Sequence, residues 1–187
     1  MLEHKGTQRI ETERLVLRQV RRDDAPVLFE TCFGDPNVTK FLTYETHKSI
    51  DDACAIIDEW ISGYEKPNFY LWAIALKESD KPIGTTNCEV NDRSSVGNLG
   101  YQLAEAQWGK GYMTEALSAM IKYMFTQVGV NRLEAYHSIA NPASGAVMRR
   151  CGMQYEGMCR EKYYCSLGYQ DSHMYAILKS DVLGGSI

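Results

Sequence analysis

The segment "NLGYQLAEAQWGKGYMTEALSAMIKYMF", Asn98 to Phe125, decides how the rest of the chain is read. Asn98 to Glu105 has the look of an extended strand. Tyr112 to Phe125 sets Met113, Ala116, Leu117, Met120, Ile121 and Met124 on one face at helical spacing. Between them Gly109 and Gly111 flank Lys110, so the helix starts directly after two residues that tolerate left-handed backbone. A helix N-terminus offers free N–H groups and the positive end of a dipole, and glycines let a ligand approach the backbone. The arrangement suits a phosphate or diphosphate. The alternative is a plain strand-to-helix turn.

Working outward, Ile83 to Val90 is expected to pair as a hairpin with Asn68 to Lys77, and Val96 to Glu105 adds a third antiparallel strand. Nearer the N-terminus, Arg14 to Val20 alternates as a strand. Asp23 or Asp24 is placed to cap a helix from Ala25 to Cys32, with Pro26 in its first turn. Phe33 to Lys48 reads as a loop. Ser49 with Asp52 forms a short capping box for a helix ending near Gly63. Beyond the glycine segment, Arg132 to Ile139 is a strand, Pro142 starts a helix through Arg150, and Gly152 fits its stop. "MQYEGMC" and "DSHMYAIL" supply two closing strands. The order predicts an α+β fold, with one parallel crossover in a mostly antiparallel sheet, and the glycine loop lies on that crossover.

The 187 residues read as a single domain, 1–187, with a core over about 9–178. Lys and Arg number 20 against 24 Asp and Glu, and no basic run exceeds Arg21-Arg22 or Arg149-Arg150, which argues against nucleic acid as a partner. No apolar run approaches the roughly 18 residues of a membrane span, so no membrane partner is expected. The first residues, "MLEHKGTQRIETERL", hold no signal-peptide apolar stretch. The six cysteines form no CxxC, and the histidines no HxxxH. This predicts reduced thiols, a cytoplasmic protein and no metal site.

Three phosphate-binding patterns compete for the glycine loop. The ATP pattern GxxxxGK[ST] fails, because Gly111 follows Lys110 and Ala104 stands five before Gly109. The dinucleotide pattern GxGxxG fails at its third glycine, where Thr114 stands, and Glu134 sits near the start of the next strand rather than at its far end. The third is acyl-CoA binding. "YQLAEAQWGKGYMTEAL" resembles the pyrophosphate motif of the GNAT acetyltransferase superfamily, in the form common to RimJ/RimL-type N-acetyltransferases. Against the family pattern [QR]xxGx[GA], Trp108 takes the Gln/Arg position, Gly111 the first glycine and Met113 the last small residue; the two outer positions depart from it. "IANPASGAVMRRCGMQYEG" resembles the family's NxxSxxxxxKxGF block through Asn141, Ser144 and Gly152-Met153, with Arg150 in place of lysine. The two blocks stand in the right order, and the resemblance runs from about Arg9 to Leu178.

The resemblance implies a GNAT-like, mostly antiparallel twisted sheet of about seven strands flanked by about four helices, splayed to hold acetyl-CoA. It implies direct transfer of the acetyl group to a primary amine: a protein N-terminal α-amine, as in RimJ/RimL relatives, or a small molecule. Backbone groups of Gly109, Lys110, Gly111, Tyr112, Met113 and Thr114, behind Trp108, would hold the diphosphate, and a bulge in the preceding strand would free an oxyanion donor near Leu103. Asn141 and Ser144 would meet the pantetheine arm, and Arg149 or Arg150 a phosphate. Candidate bases are Glu89 and Glu105. Tyr163 stands where RimL-like relatives carry a glutamate, with Glu161 two residues away. Met148 replaces the tyrosine that many members use as general acid, leaving Ser144 for that role. Phe33 to Lys48, with Tyr163, Tyr164 and Tyr169, would wall the acceptor site. Related enzymes often form homodimers. The rival reading is a non-catalytic acyl-CoA-binding or sensing module.

Overall fold

The computed structural model describes residues 2–184. In chain order its elements are β1 (Ile10–Glu11), β2 (Leu15–Arg18), α1 (Ala25–Leu28), α2 (Pro36–Thr39), α3 (Ile50–Gly63), β3 (Leu71–Leu76), β4 (Pro82–Asn91), β5 (Val96–Leu103), α4 (Tyr112–Tyr123), β6 (Arg132–Ser138), α5 (Pro142–Arg150), β7 (Gln154–Cys165), β8 (Gly168–Leu178) and α6 (Lys179–Leu183). The eight strands form one sheet in the order β1-β2-β3-β4-β5-β6-β8-β7. Only β5 and β6 pair in parallel. That pair is joined by α4 and led by the glycine loop, as the sequence predicts.

Alternating strand residues feed two apolar layers. Leu15, Leu17, Trp72, Ile74, Leu99 and Leu133 pack with Met113, Leu117, Met120 and Phe125 beneath α4 and with Met148 of α5. Leu71 and Ala73 face the other way, onto Leu28, Phe33, Ala53 and Ile57 of the N-terminal helices. The helical face expected for α4 is buried at all six positions: Met113, Ala116, Leu117, Met120, Ile121 and Met124. The capping box of α3 forms as expected, with the Asp52 N–H on Ser49 Oγ (3.3 Å) and the Ser49 N–H on Asp52 Oδ2 (2.9 Å). Helix α5 spans the expected residues, and Gly152 (φ +84°) follows its end.

Four expectations change. Ile10–Glu11 adds a short eighth strand by pairing with Val16 and Leu17. The stretch that reads as a loop holds α2, because Asp35 accepts the Asn37 N–H (2.8 Å) and Pro36 fits the first turn. Asp24 does not cap α1. Its carboxylate takes the Arg21 N–H (2.8 Å) and a buried two-pronged bond from Arg18 (2.7 and 2.9 Å). The closing strands run on through "REKYYC" and "GYQ" as a long hairpin, because bulges at Tyr155/Gly157 and Cys159/Tyr163 absorb the breaks in its alternation.

The sheet opens between β5 and β6. They pair only at Val96↔Arg132, Gly97↔Leu133 and Asn98↔Glu134. Strand β5 stays with β4 from Val96↔Asn91 to Leu103↔Gly84, while β6 stays with β8 as far as Ser138↔Ser172. Past Asn98 and Glu134 the facing edges therefore separate. Gly97 holds the closed end tight, since a Cβ there would lie 2.6 Å from both Cys88 Sγ and Leu133.

Candidate active site

The glycine loop stands at the open end of this gap. Gly109 (φ +74°) and Gly111 (φ +81°) both take the left-handed conformation that lets the chain turn from β5 into α4. The first bond into the helix runs from the Glu115 N–H to the Gly111 carbonyl (3.0 Å). The N–H groups of Tyr112, Met113 and Thr114 therefore have no partner inside the helix. The Met113 side chain is buried in the core, which leaves the loop's outer surface to backbone. A Cβ built on Gly109 meets nothing within 4 Å. This open, donor-rich surface fits a diphosphate. Gly109, Lys110, Gly111, Thr114, Glu115, Ser118 and Arg150 line one depression of about 490 Å³, so α5 brings Arg150 to the loop. Arg149 is directed elsewhere, donating to Tyr175 Oη (2.9 Å).

Trp108 ties the loop to the strand end, its indole N–H donating to the Leu103 carbonyl (2.8 Å) while the ring is 47% exposed. A second tie comes from the far end of the chain. Arg14 donates to the Lys110 carbonyl (3.0 Å), pairs with Glu115 (2.7 Å) and lies 4.5 Å from the Tyr112 ring centre. The Thr12 hydroxyl also donates to Glu115 (2.6 Å). Burial works against ionisation of Glu115, but these donors outweigh it and hold the carboxyl below its ordinary value. Sequence reasoning missed Arg14 and Thr12. The visible signal was an acid in the first turn of α4; its partners lie about a hundred residues away.

The walls of the gap come from β5 and α5. The Ala104 N–H bonds to the Ile83 carbonyl (2.8 Å), so by antiparallel alternation the N–H groups of Leu99, Tyr101 and Leu103 point away from β4, toward the gap. The expected donor near Leu103 thus needs no bulge: β5 pairs with β4 without a register shift, which corrects that expectation. Asn141 caps α5, its Oδ1 accepting the Ser144 N–H (3.4 Å). Ser144 Oγ lies 2.8 Å from Tyr101 Oη. His137 on β6 donates from Nδ1 to the Ser138 carbonyl (2.7 Å), and its Nε2 abuts Gly145, where a Cβ would come within 2.3 Å. Burial lowers the His137 pKa, so this ring is a neutral packing surface that seats the start of α5.

On the opposite face, Glu89, Asn98 and Glu134 sit in register across β4, β5 and β6 at the closed end of the gap and line one depression. Glu134 accepts from Arg132 (3.1 Å). Glu89 is exposed and makes no hydrogen bond or ion pair among the described residues. Burial, with the charge of Glu89 beside it, raises the Tyr136 phenol. The Tyr136 ring lies 5.3 Å from that of Tyr163, whose hydroxyl donates to the Phe41 carbonyl (3.0 Å). Burial pushes Tyr163 up to about 12, so at neutral pH it is a donor and not a base. Glu105 accepts from Asn37 Nδ2 (3.1 Å) at the rim. Tyr44 donates to Gln102, which donates to Thr85 (2.9 Å), closing the other side. Tyr164 and Tyr169, expected in the wall, are 63% and 68% exposed and meet each other edge to face.

The Acetyltransferase (GNAT) domain model matches residues 14–154. N-acetyltransferase p20 of Bacillus licheniformis is 30% identical over 174 residues, covering 92% of this chain and 97% of its own. Among solved structures, a GNAT-family acetyltransferase from Bacillus anthracis superposes with a TM-score of 0.81 at 22% identity, over 92% of this chain and 99% of that one. RimL, a ribosomal L7/L12 alpha-N-protein acetyltransferase solved with coenzyme A, gives 0.81 at 20% identity over 91% and 98%. At such identities the structural likeness is one of fold. The chain belongs to the GNAT acetyltransferase family. It is accordingly an N-acetyltransferase that takes its acetyl group from acetyl-CoA.

Proposed function

We propose that this enzyme acetylates a protein N-terminal α-amine. The amine enters over Glu89 and Tyr136, while acetyl-CoA lies in the gap with its diphosphate on the Gly109–Thr114 backbone. The observation that carries this reading is the short β5–β6 pairing, which leaves a gap between the glycine loop on one side and the only unpaired carboxylate of the Glu89–Glu134 depression on the other. Arg150 and Lys110 stand where they can meet phosphates, and backbone N–H groups of β5 can hydrogen-bond the thioester oxygen as charge grows on it.

An α-amine has a pKa of about 8, so roughly a tenth of it is neutral at pH 7. One carboxylate, acting directly or through water, is then sufficient to remove the proton. Glu89 takes this role. Glu105 is held at the rim by Asn37, and the Tyr163 proton is engaged by Phe41. The leaving thiolate is the conjugate base of an ordinary thiol, with a pKa of about 8.5, and needs only a hydrogen bond to depart; Ser144 supplies it. RimL, with the same fold, carries an α-N-protein activity in its name, which supports the choice of acceptor.

The test is a panel of N-terminal peptides, lysine side-chain peptides and small amines, read by release of free CoA and by product mass. Turnover on peptide α-amines and not on lysine peptides is expected. Turnover confined to small amines would overturn the acceptor assignment. CoA binding with no turnover on any amine would favour a binding module.

A further inference from the structure

Tyr101 stands on β5 with its side chain on the same face as Leu99 and Leu103. Its hydroxyl crosses to α5, 2.8 Å from Ser144 Oγ and 3.1 Å from the Ser144 carbonyl oxygen. It thus links the strand and the helix that wall the gap, at the hydroxyl assigned to the leaving thiolate. A phenol has one proton, and here it has two acceptors. If that proton goes to the carbonyl, the Ser144 proton turns back onto Tyr101 Oη. If it goes to Ser144 Oγ, the serine proton is released toward the gap. Burial drives the Tyr101 pKa well above its ordinary range, so the ring stays protonated and acts by orientation rather than as a source of protons.

We propose that Tyr101 is the positioning residue of Ser144: its hydroxyl donates to Ser144 Oγ and turns the serine O–H toward the departing sulfur. This deepens the reading of Ser144 and rests on it. No proton changes owner in this step. Sulfur leaves as thiolate, held by the serine hydrogen bond, and takes its proton from water after release.

The experiment compares Tyr101→Phe, Ser144→Ala and the double variant, measuring kcat, KM for acetyl-CoA and the melting midpoint. Tyr101→Phe is expected to lower kcat about tenfold with KM for acetyl-CoA within about twofold. The double variant should be no slower than Ser144→Ala, because both changes remove the same hydrogen bond. If Ser144→Ala is slow while Tyr101→Phe keeps full kcat, Ser144 retains its role and the proposal for Tyr101 fails. If Ser144→Ala keeps full kcat, the Ser144 reading fails. Tyr101→Met, which fills similar space without a hydroxyl, must repeat the loss. Multiplying effects in the double variant, or loss of a cooperative melt in both Tyr101 variants, would mark a structural hydroxyl and overturn the proposal.

Discussion

Gly111 lies at φ +81°, and a Cβ there would sit 3.5 Å from the Arg14 guanidinium. Valine at this position meets left-handed strain of about 1–2 kcal/mol and sets branched carbons over the donors of α4. Gly111→Val should lower the melting midpoint by about 2–8 °C and weaken acetyl-CoA binding at least about tenfold by calorimetry. Full affinity would remove the loop from the coenzyme site. On the other face, Glu89→Gln keeps the shape of the side chain and deletes its basicity. Its kcat on a peptide α-amine should fall about a hundredfold at pH 7, with acetyl-CoA affinity unchanged. Near pH 9 most of the amine is already neutral, so the deficit should narrow there. A deficit that stays constant with pH would mean that Glu89 acts otherwise than as a base.

At the scale of the element, the start of α4 is held by Thr12 and Arg14 through Glu115. The carboxyl of Glu115 is depressed from its ordinary 4.5, so the folded state binds its proton less readily than the unfolded chain does. The stabilisation is therefore present above the ordinary value and is lost as pH falls through the folded one. Glu115→Gln should destabilise by about 1.5–3 kcal/mol at pH 7, the worth of a hydrogen bond to a charged group. The two proteins should converge in melting midpoint as the solution is brought well below pH 4.5. A gap that persists in acid would show that the clamp works through shape alone. The α4 face, the α3 capping box and the Pro142–Gly152 limits of α5 were legible in the sequence because each depends on residues a few positions apart. The clamp was not, because it joins residues 101 to 103 apart in the chain. Asp24 misled for the same reason: its acidic side chain suits a local cap, yet a buried Arg18 claims it.

At the scale of the whole molecule, the gap is legible once two family-like blocks are found, and so are the two segments expected beside its acceptor side, but not which of their aromatic residues turn inward. In the proposed site that side is assembled from α2 and the segment after it, from β6, and from the β7–β8 hairpin. Tyr163 Oη donates to the Phe41 carbonyl, and Ser166 Oγ donates to the Lys40 carbonyl (3.2 Å), so the last hairpin fixes a loop that the first third of the chain provides. The sequence showed aromatic residues in "KYYCSLGY" without showing which of them turn inward, because the bulges in β7 shift the alternation. Tyr163 turns in against Tyr136, while Tyr164 and Tyr169 turn out. Removing the Tyr163 hydroxyl should therefore act on the acceptor side alone. Loss of one neutral hydrogen bond is worth about 0.5–1.5 kcal/mol, or roughly two- to tenfold in an equilibrium. Tyr163→Phe should raise the acceptor KM by about that factor, speed amide hydrogen exchange in residues 40–48, and leave acetyl-CoA affinity as it is. A drop in kcat at saturating acceptor, with unchanged exchange, would return Tyr163 to the chemistry and take it out of the wall.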